Sequence, residues 1–182
     1  MNMRIGVSGT PGTGKTSLSI SLSKVCGTYH AEISSLAKDN QWVLEYDDKR
    51  DTCVVDAQKI KSHLKKYENV IIDSHFADLF DCDIIIVLRC PPPKLYERLS
   101  SRGYSPEKIK ENLLSEILDS CLINAIDSVG IDNTYEMVTG DLEEDVKKAL
   151  SIIEGKGKNM SVKNTARTHY LTEENLDLLQ RF

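Results

Sequence analysis

The sequence predicts a doubly wound α/β domain built on a mainly parallel sheet. Short, nearly all-apolar runs recur at Met3–Val7, Val70–Asp73 and Ile84–Leu88. Runs of that length suit strands buried on both faces, as in a parallel sheet covered by helices. Helical stretches separate them, so the order is strand and helix repeated. A glycine-rich turn, Gly9 to Gly14, joins the first strand to the first helix.

Met3 to Val7 is the first strand, and Lys15 to Cys26 reads as a helix stopped by Gly27. Thr28 to Ile33 is a weak strand. Ser34 is the expected cap of a short helix through Asn40. Residues 41–52, QWVLEYDDKRDT, have no clean period and read as a mobile charged connection. Asp56 caps DAQKIKSHLKKY, a helical stretch whose Ile60 and Leu64 are four apart. The strands Val70–Asp73 and Ile84–Leu88 follow. Pro91, Pro92 and Pro93 open a helix that ends near Gly103. Ser105, with Pro106 at the first helical position, starts a long helix read as continuous to about Val129. Tyr135 to Val138 is the last strand. Asp141 and Glu144 make a capping-box-like pair before a helix to Glu154. Residues 155–182 read as a flexible basic linker, with Lys156, Lys158, Lys163 and Arg167, and then a short helix. Thr172 caps that helix, which carries Leu176, Leu179 and Phe182.

Composition narrows the classes. A chain of 182 residues with 40% hydrophobic and 28% charged residues builds one domain with a real core. The net charge of −5 argues against a general basic surface for nucleic acid. No apolar run is long enough to span a membrane, and no signal-peptide pattern opens the chain. Five cysteines without CxxC spacing read as reduced, mostly buried thiols of a cytoplasmic protein, not a disulfide frame or zinc site.

The strongest chemical signal is Gly9-Thr10-Pro11-Gly12-Thr13-Gly14-Lys15-Thr16. It is GxxxxGK[ST] set between an apolar strand and a helix, the context that a phosphate-binding loop needs. Glycines let the backbone wrap phosphate oxygens, converging amides and the helix N-terminus add positive charge, and Lys15 reaches the β and γ phosphates. The Thr16 hydroxyl is suited to Mg²⁺. Such a loop needs an acid at the end of another strand, and Asp73 fits, although aspartate also serves as a plain turn residue there. His75 follows at a strand end where α/β sheets bind ligands, and its ordinary pKa suits it to orient or deprotonate a water. Arg98 and Arg102 share a helix face and suit either a phosphoryl clamp or a solvated charged face. Arg89, ending the Ile84–Leu88 strand, is a third candidate. No Asn-Lys-x-Asp occurs, so nothing supports guanine specificity.

Together, GTPGTGKT, EYDDKRDTCVVD at 45–56, DSH at 73–75 and LYERLSSRGYSPEKIKENLLSEI at 95–117 resemble one family. It is the adenylate-kinase-like NTPases of small-ribosomal-subunit assembly. Its eukaryotic members are called coilin-interacting nuclear ATPase or adenylate kinase isoenzyme six, and archaea carry counterparts. The resemblance covers roughly residues 3–154 and leaves the basic tail unmatched. It implies a P-loop nucleoside monophosphate kinase fold with a five-stranded parallel core, an NMP-binding segment near 32–55 and a short lid near 101–111. It implies ATP on Gly12, Thr13, Gly14, Lys15, Thr16, Ser17 and Arg102, Mg²⁺ at Thr16 and Asp73, and hydrolysis tied to Asp73 and His75. Lys38 stands where relatives tend to carry arginine. It supplies a point charge where arginine offers a fork, which lowers the expected affinity for AMP. The implied activities are adenylate kinase and ATPase. The implied partners are AMP or another NMP, a small-subunit platform ribosomal protein, and rRNA only within a complex. Two other readings stand beside this one: a nucleotide-switched assembly factor whose AMP kinase activity is incidental, and a metabolic (d)NMP kinase.

Overall fold

The computed structural model describes residues 3–47 and 52–182. Its strands are β1 (Met3–Ser8), β2 (Tyr29–Glu32), β3 (Val43–Asp47), β4 (Thr52–Val55), β5 (Asn69–Asp73), β6 (Ile84–Arg89) and β7 (Thr134–Val138). Its helices are α1 (Lys15–Cys26), α2 (Ile33–Asp39), α3 (Ala57–Leu64), α4 (Pro92–Ser101), α5 (Pro106–Ile117), α6 (Ser120–Val129), α7 (Leu142–Ile153) and α8 (Glu173–Leu178).

Five strands form one parallel sheet in the order β2-β5-β1-β6-β7. The α/β class with a five-stranded parallel sheet is therefore as expected. The chain leaves β1 toward β2 on one side and leaves β5 toward β6 on the other. A crevice opens at the carboxyl ends of strands whose connections part in this way. The turn after β1 and the Asp73–His75 step after β5 meet there. Apolar side chains cover both faces of the sheet. Leu18 and Leu22 of α1 pack with Ile5, Val7 and Ile71 on one face, and Ile60 and Leu64 of α3 pack with Val70 and Ile72 on the other. Alternate residues of β5 thus serve opposite cores, which is why that run lacks polar positions.

Several helix starts form as the sequence indicates. The Asp56, Ser105, Asp141 and Thr172 side chains each accept a backbone N–H in the first turn of the following helix.

Other expectations are corrected. The cap of α2 is Glu32, whose carboxylate accepts from Ser34 N and Ser35 N, and not Ser34. The stretch read as a connection at 41–52 holds β3 and the first residue of β4, two strands paired antiparallel; its residues 48–51 lie outside the described residues. The hairpin leaves Leu44, Tyr46 and Val54 exposed and only half-buries Val43 and Val55 against the core, too little burial to impose an alternating pattern. The helix expected to run to Val129 breaks at Asp119, which takes the left-handed conformation at φ 56° and separates α5 from α6. Cys90 alone among the cysteines is fully buried; all five are free thiols.

The basic stretch after Glu154 is packed. Ser161 bridges to Tyr135, Val162 N donates to Thr134 O at 2.9 Å, and Tyr170 is buried. Leu178 of α8 then joins Leu95 and Leu99 of α4.

Candidate functional site

The turn after β1 is shaped by three glycines with positive φ. A Cβ on Gly9, at φ +134°, would lie 2.4 Å from the Leu88 carbonyl oxygen. One on Gly12, at φ +94°, would lie 2.9 Å from Leu95 Cδ1. No other residue type lets the loop sit this close to β6 and α4.

The loop's carbonyls are engaged from within and behind. Thr10 O accepts from Thr13 N at 3.2 Å, Thr13 Oγ1 at 2.9 Å and Lys15 Nζ at 3.1 Å. Arg98 Nη1 donates to Gly12 O at 3.1 Å and Thr13 O at 3.3 Å. Holding the carbonyls this way favours presenting the amides to an anion. No side chain caps α1, so its N-terminal dipole faces the same space.

A cleft of about 210 Å³ fronts the loop, lined by Gly12, Gly14, Lys15, Thr16, Ser17, Asp73, His75 and Arg102, with Glu32 and Ser34 opposite. A second cavity of about 410 Å³ shares Pro11, Ser34 and His75 with the first and adds Lys38, Tyr46, Tyr104 and Lys108. A third, about 390 Å³, lies across the loop between Arg98, Arg102, Thr139 and Gly140. Thr13 is buried within the loop and borders that third space.

Burial lowers the pKa of Lys15, and the nearby carboxylates Asp73 and Glu116 partly oppose the shift. A half-desolvated cation with donors to spare is primed for an anionic ligand. His75 lines the cleft with its ring edge-on to Phe76, 4.2 Å between centroids. Desolvation by the cleft walls, then the Lys15 charge, pushes its pKa down to about 4. The imidazole is therefore neutral near pH 7. It is a hydrogen-bonding group and a weaker base than its ordinary pKa led us to expect.

Asp73 is 3% exposed, and its Oδ2 has no hydrogen bond among the described residues; His30 Nε2 stands 3.5 Å away. That orphaned oxygen and the exposed Thr16 hydroxyl are hard donors of the kind that suit Mg²⁺ beside phosphate. No cluster of three or more His, Cys, Asp or Glu among the described residues would hold a metal without such a ligand.

Two arginines are placed otherwise than the sequence suggested. Arg89 does not reach the cleft; it is buried in ion pairs with Glu116, Glu136 and Asp119. Arg98 holds the loop from behind, whereas Arg102, at the C-cap of α4, lines the cleft, and its guanidinium makes no hydrogen bond or ion pair among the described residues. Glu116 escaped notice, though a signal existed: it falls on the buried face of α5 with Ile109, Leu113 and Ile117. A carboxylate on an apolar stripe demands a partner. Glu32 left no comparable signal, because glutamate is an uncommon helix cap.

Fold, loop and cleft define a P-loop protein. Solved structures support the fold. A shikimate kinase from Acinetobacter baumannii in complex with shikimate superposes with a TM-score of 0.56 at 15% identity, covering 85% of this chain and 94% of that one. A gluconokinase from Sinorhizobium meliloti gives 0.54 at 21%, covering 87% and 95%. Sequence comparison is narrower. A family model described as an AAA domain matches residues 5–119. The protein named "Putative adenylate kinase" in Methanocaldococcus jannaschii is 36% identical over 94% of this chain and 99% of its own length. The adenylate kinase isoenzyme 6 homolog of Caenorhabditis elegans is 34% identical over 84% and 90%. The chain belongs to this adenylate-kinase-like P-loop NTPase family.

Proposed function

We propose that this chain transfers the γ-phosphoryl group of ATP to a nucleoside monophosphate, AMP by analogy with the names its relatives carry. One observation carries the reading. The phosphate cleft and the Lys38 cavity meet at His75, so a donor and an acceptor phosphate have adjoining seats.

ATP phosphates sit on the loop amides with Lys15 and Arg102. Ser17 extends the first turn of α1, and the third cavity takes the rest of the nucleotide. Lys38 attracts the acceptor phosphate. An acceptor oxygen bonds to the γ-phosphorus as the β–γ bridging oxygen leaves with ADP. Lys15 and Arg102 offset the charge that develops on these oxygens. Thr16 and Asp73 are the groups that hold Mg²⁺, which when bound supplies further neutralisation of the phosphates. His75, neutral, orients a water when no acceptor is seated.

The segment 32–55, comprising α2 and the β3–β4 hairpin, is the acceptor side. Residues 101–111, the end of α4, a turn and the first residues of α5, are the lid. Closure of both excludes water, because hydrolysis otherwise competes with transfer. Among the described residues no helix is long and apolar enough to cross a membrane. We place the enzyme in the cytoplasm.

The exposed apolar residues Leu44, Tyr46 and Val54 favour a second role, contact with a protein. By resemblance that partner is a small-subunit platform ribosomal protein in subunit maturation, with rRNA contacted only inside the complex. The test follows ADP and free phosphate separately with Mg-ATP, with and without AMP, in the wild type and His75→Ala. The kinase reading expects two ADP per AMP consumed, little phosphate, and retention of transfer in the variant. Phosphate release that ignores AMP and collapses in His75→Ala would falsify it in favour of a hydrolytic switch.

A further inference from the structure

Behind the phosphate loop lies a buried charge cluster that phosphoryl transfer does not itself require. Arg89 is 2% exposed and meets three carboxylates. Its Nε donates to Glu116 Oε1 at 2.9 Å, its Nη1 to Glu136 Oε1 at 2.7 Å, and its Nη2 to Asp119. One cation among three anions leaves excess negative charge where unpaired charge is costly. Three further donors offset it. Cys90 N donates to Glu116 Oε1 at 3.0 Å, the Thr10 hydroxyl to Glu116 Oε2, and Thr168 N to Glu136 Oε2 at 3.0 Å. They come from the end of β6, the phosphate loop and the C-terminal segment.

Tyr170 closes the cluster against water. The centroid of its ring lies 5.0 Å from the guanidinium carbon of Arg89. Its hydroxyl is buried with no hydrogen-bond partner among the described residues, so the ring face is what it offers the cation. Burial, then the Glu116 charge, pushes the phenol up to about 12, and it stays neutral. The cluster also has a forward end. Thr10 gives its hydroxyl to Glu116, and its carbonyl accepts from Lys15 Nζ. The same C-terminal segment backs the loop a second time: Leu178 packs with Leu95 and Leu99, the two leucines that lie against Gly12.

We propose that Tyr170 and Thr168 are positioning residues for Lys15 and the phosphate loop, acting through Arg89, Glu116 and Thr10. The proposal rests on the reading of that loop as the ATP site. Removing the ring lets water reach Arg89 and loosens its hold on Glu116. The Thr10 anchor that fixes Lys15 loosens with it.

The test is calorimetric titration of the intact protein with Mg-ATP. Tyr170→Ala is expected to weaken binding about tenfold, and Tyr170→Phe, which keeps the ring, to stay within about twofold. Tyr170→Leu keeps buried volume without the ring face. It should follow Tyr170→Ala, and it serves if the alanine variant does not fold. Thr10→Val removes the hydroxyl that Glu116 holds. In that background the loss from Tyr170→Ala should shrink below about twofold, a coupling that a merely structural role does not produce. Folded Tyr170→Ala and Tyr170→Leu variants that bind ATP like the wild type overturn the proposal, as do losses that multiply independently with Thr10→Val. A wild type that does not bind ATP, or a Lys15→Ala variant that binds it undiminished, overturns the underlying site reading instead.

Discussion

Lys15 and Arg89 are both cations beside the carboxyl ends of the sheet, and their surroundings differ in kind. Arg89 is saturated: its guanidinium bonds Glu116, Glu136 and Asp119, and Tyr170 covers it. Among the described residues Lys15 Nζ gives one hydrogen bond, to the Thr10 carbonyl, and lines an open cleft. Burial lowers its pKa, which means its charge is held at a cost. A cation with its donors spent stabilises structure, whereas one left short of partners in a cleft is there for a ligand. Charge and position along the chain do not separate the two; the count of partners does.

The contrast is sharpest under mutation. Arg89→Met should destabilise the protein by about 3–5 kcal/mol, since it strands the buried Glu116 and Glu136 carboxylates and unpairs the part-exposed Asp119. Urea unfolding measures this, and a loss below about 1 kcal/mol would break the contrast. Lys15→Ala should leave the unfolding midpoint unchanged or slightly higher, while phosphoryl transfer falls roughly 10²–10³-fold. Arg98 stands between them, since it bonds loop carbonyls and, among the described residues, no carboxylate. Arg98→Lys, which loses the planar fork, should raise the KM for ATP several-fold, up to about tenfold, with little change in kcat. A kcat loss of the Lys15→Ala size would move Arg98 into the reaction itself.

The smallest effect is that of pH. Burial, then the Lys15 charge, pushes the folded His75 imidazole down to about 4 from its ordinary 6.5. Above about pH 6.5 both folded and unfolded forms are neutral, and nothing is lost. As pH falls from there toward 4, the unfolded chain takes up a proton that the folded one refuses, so stability declines. Cleft water moderates the slope. Over that window the wild type should lose stability relative to His75→Asn; parallel unfolding curves would show that His75 does not titrate this way.

The phosphate loop, the sheet strands and four helix caps could be read from the chain because each is specified locally. Apolar runs mark the strands, and Asp56, Ser105, Asp141 and Thr172 sit where a helix start needs an acceptor. What escaped is specified at a distance or by little burial. The β3–β4 hairpin exposes Leu44, Tyr46 and Val54 and so lacks alternation. The break at Asp119 carries no glycine or proline, and an Arg89 pairing across the fold accompanies it. The stretch after Glu154 is apolar-poor and is tied down by backbone bonds, such as that of Val162 to Thr134, which no composition reports. The roles of Arg98 in α4 and Arg102 at its C-cap likewise separate only once the loop carbonyls have a position.

The sheet order also governs how the molecule must come together. β1, the first strand in the chain, is the middle one, and its registers pair Met3 with Asn69 and Ile5 with Ile84. The bond from Met3 N to the Asn69 side chain spans 66 positions. During synthesis β1 has no sheet neighbour until β5 has emerged and lacks its second until β6 follows, and loop-closure entropy makes such remote pairing slow. The glycine turn hangs from β1 and is pressed against Leu88 of β6. A phosphate-binding loop encoded by residues 9–16 therefore acquires its shape only when residues more than seventy positions later have folded onto it.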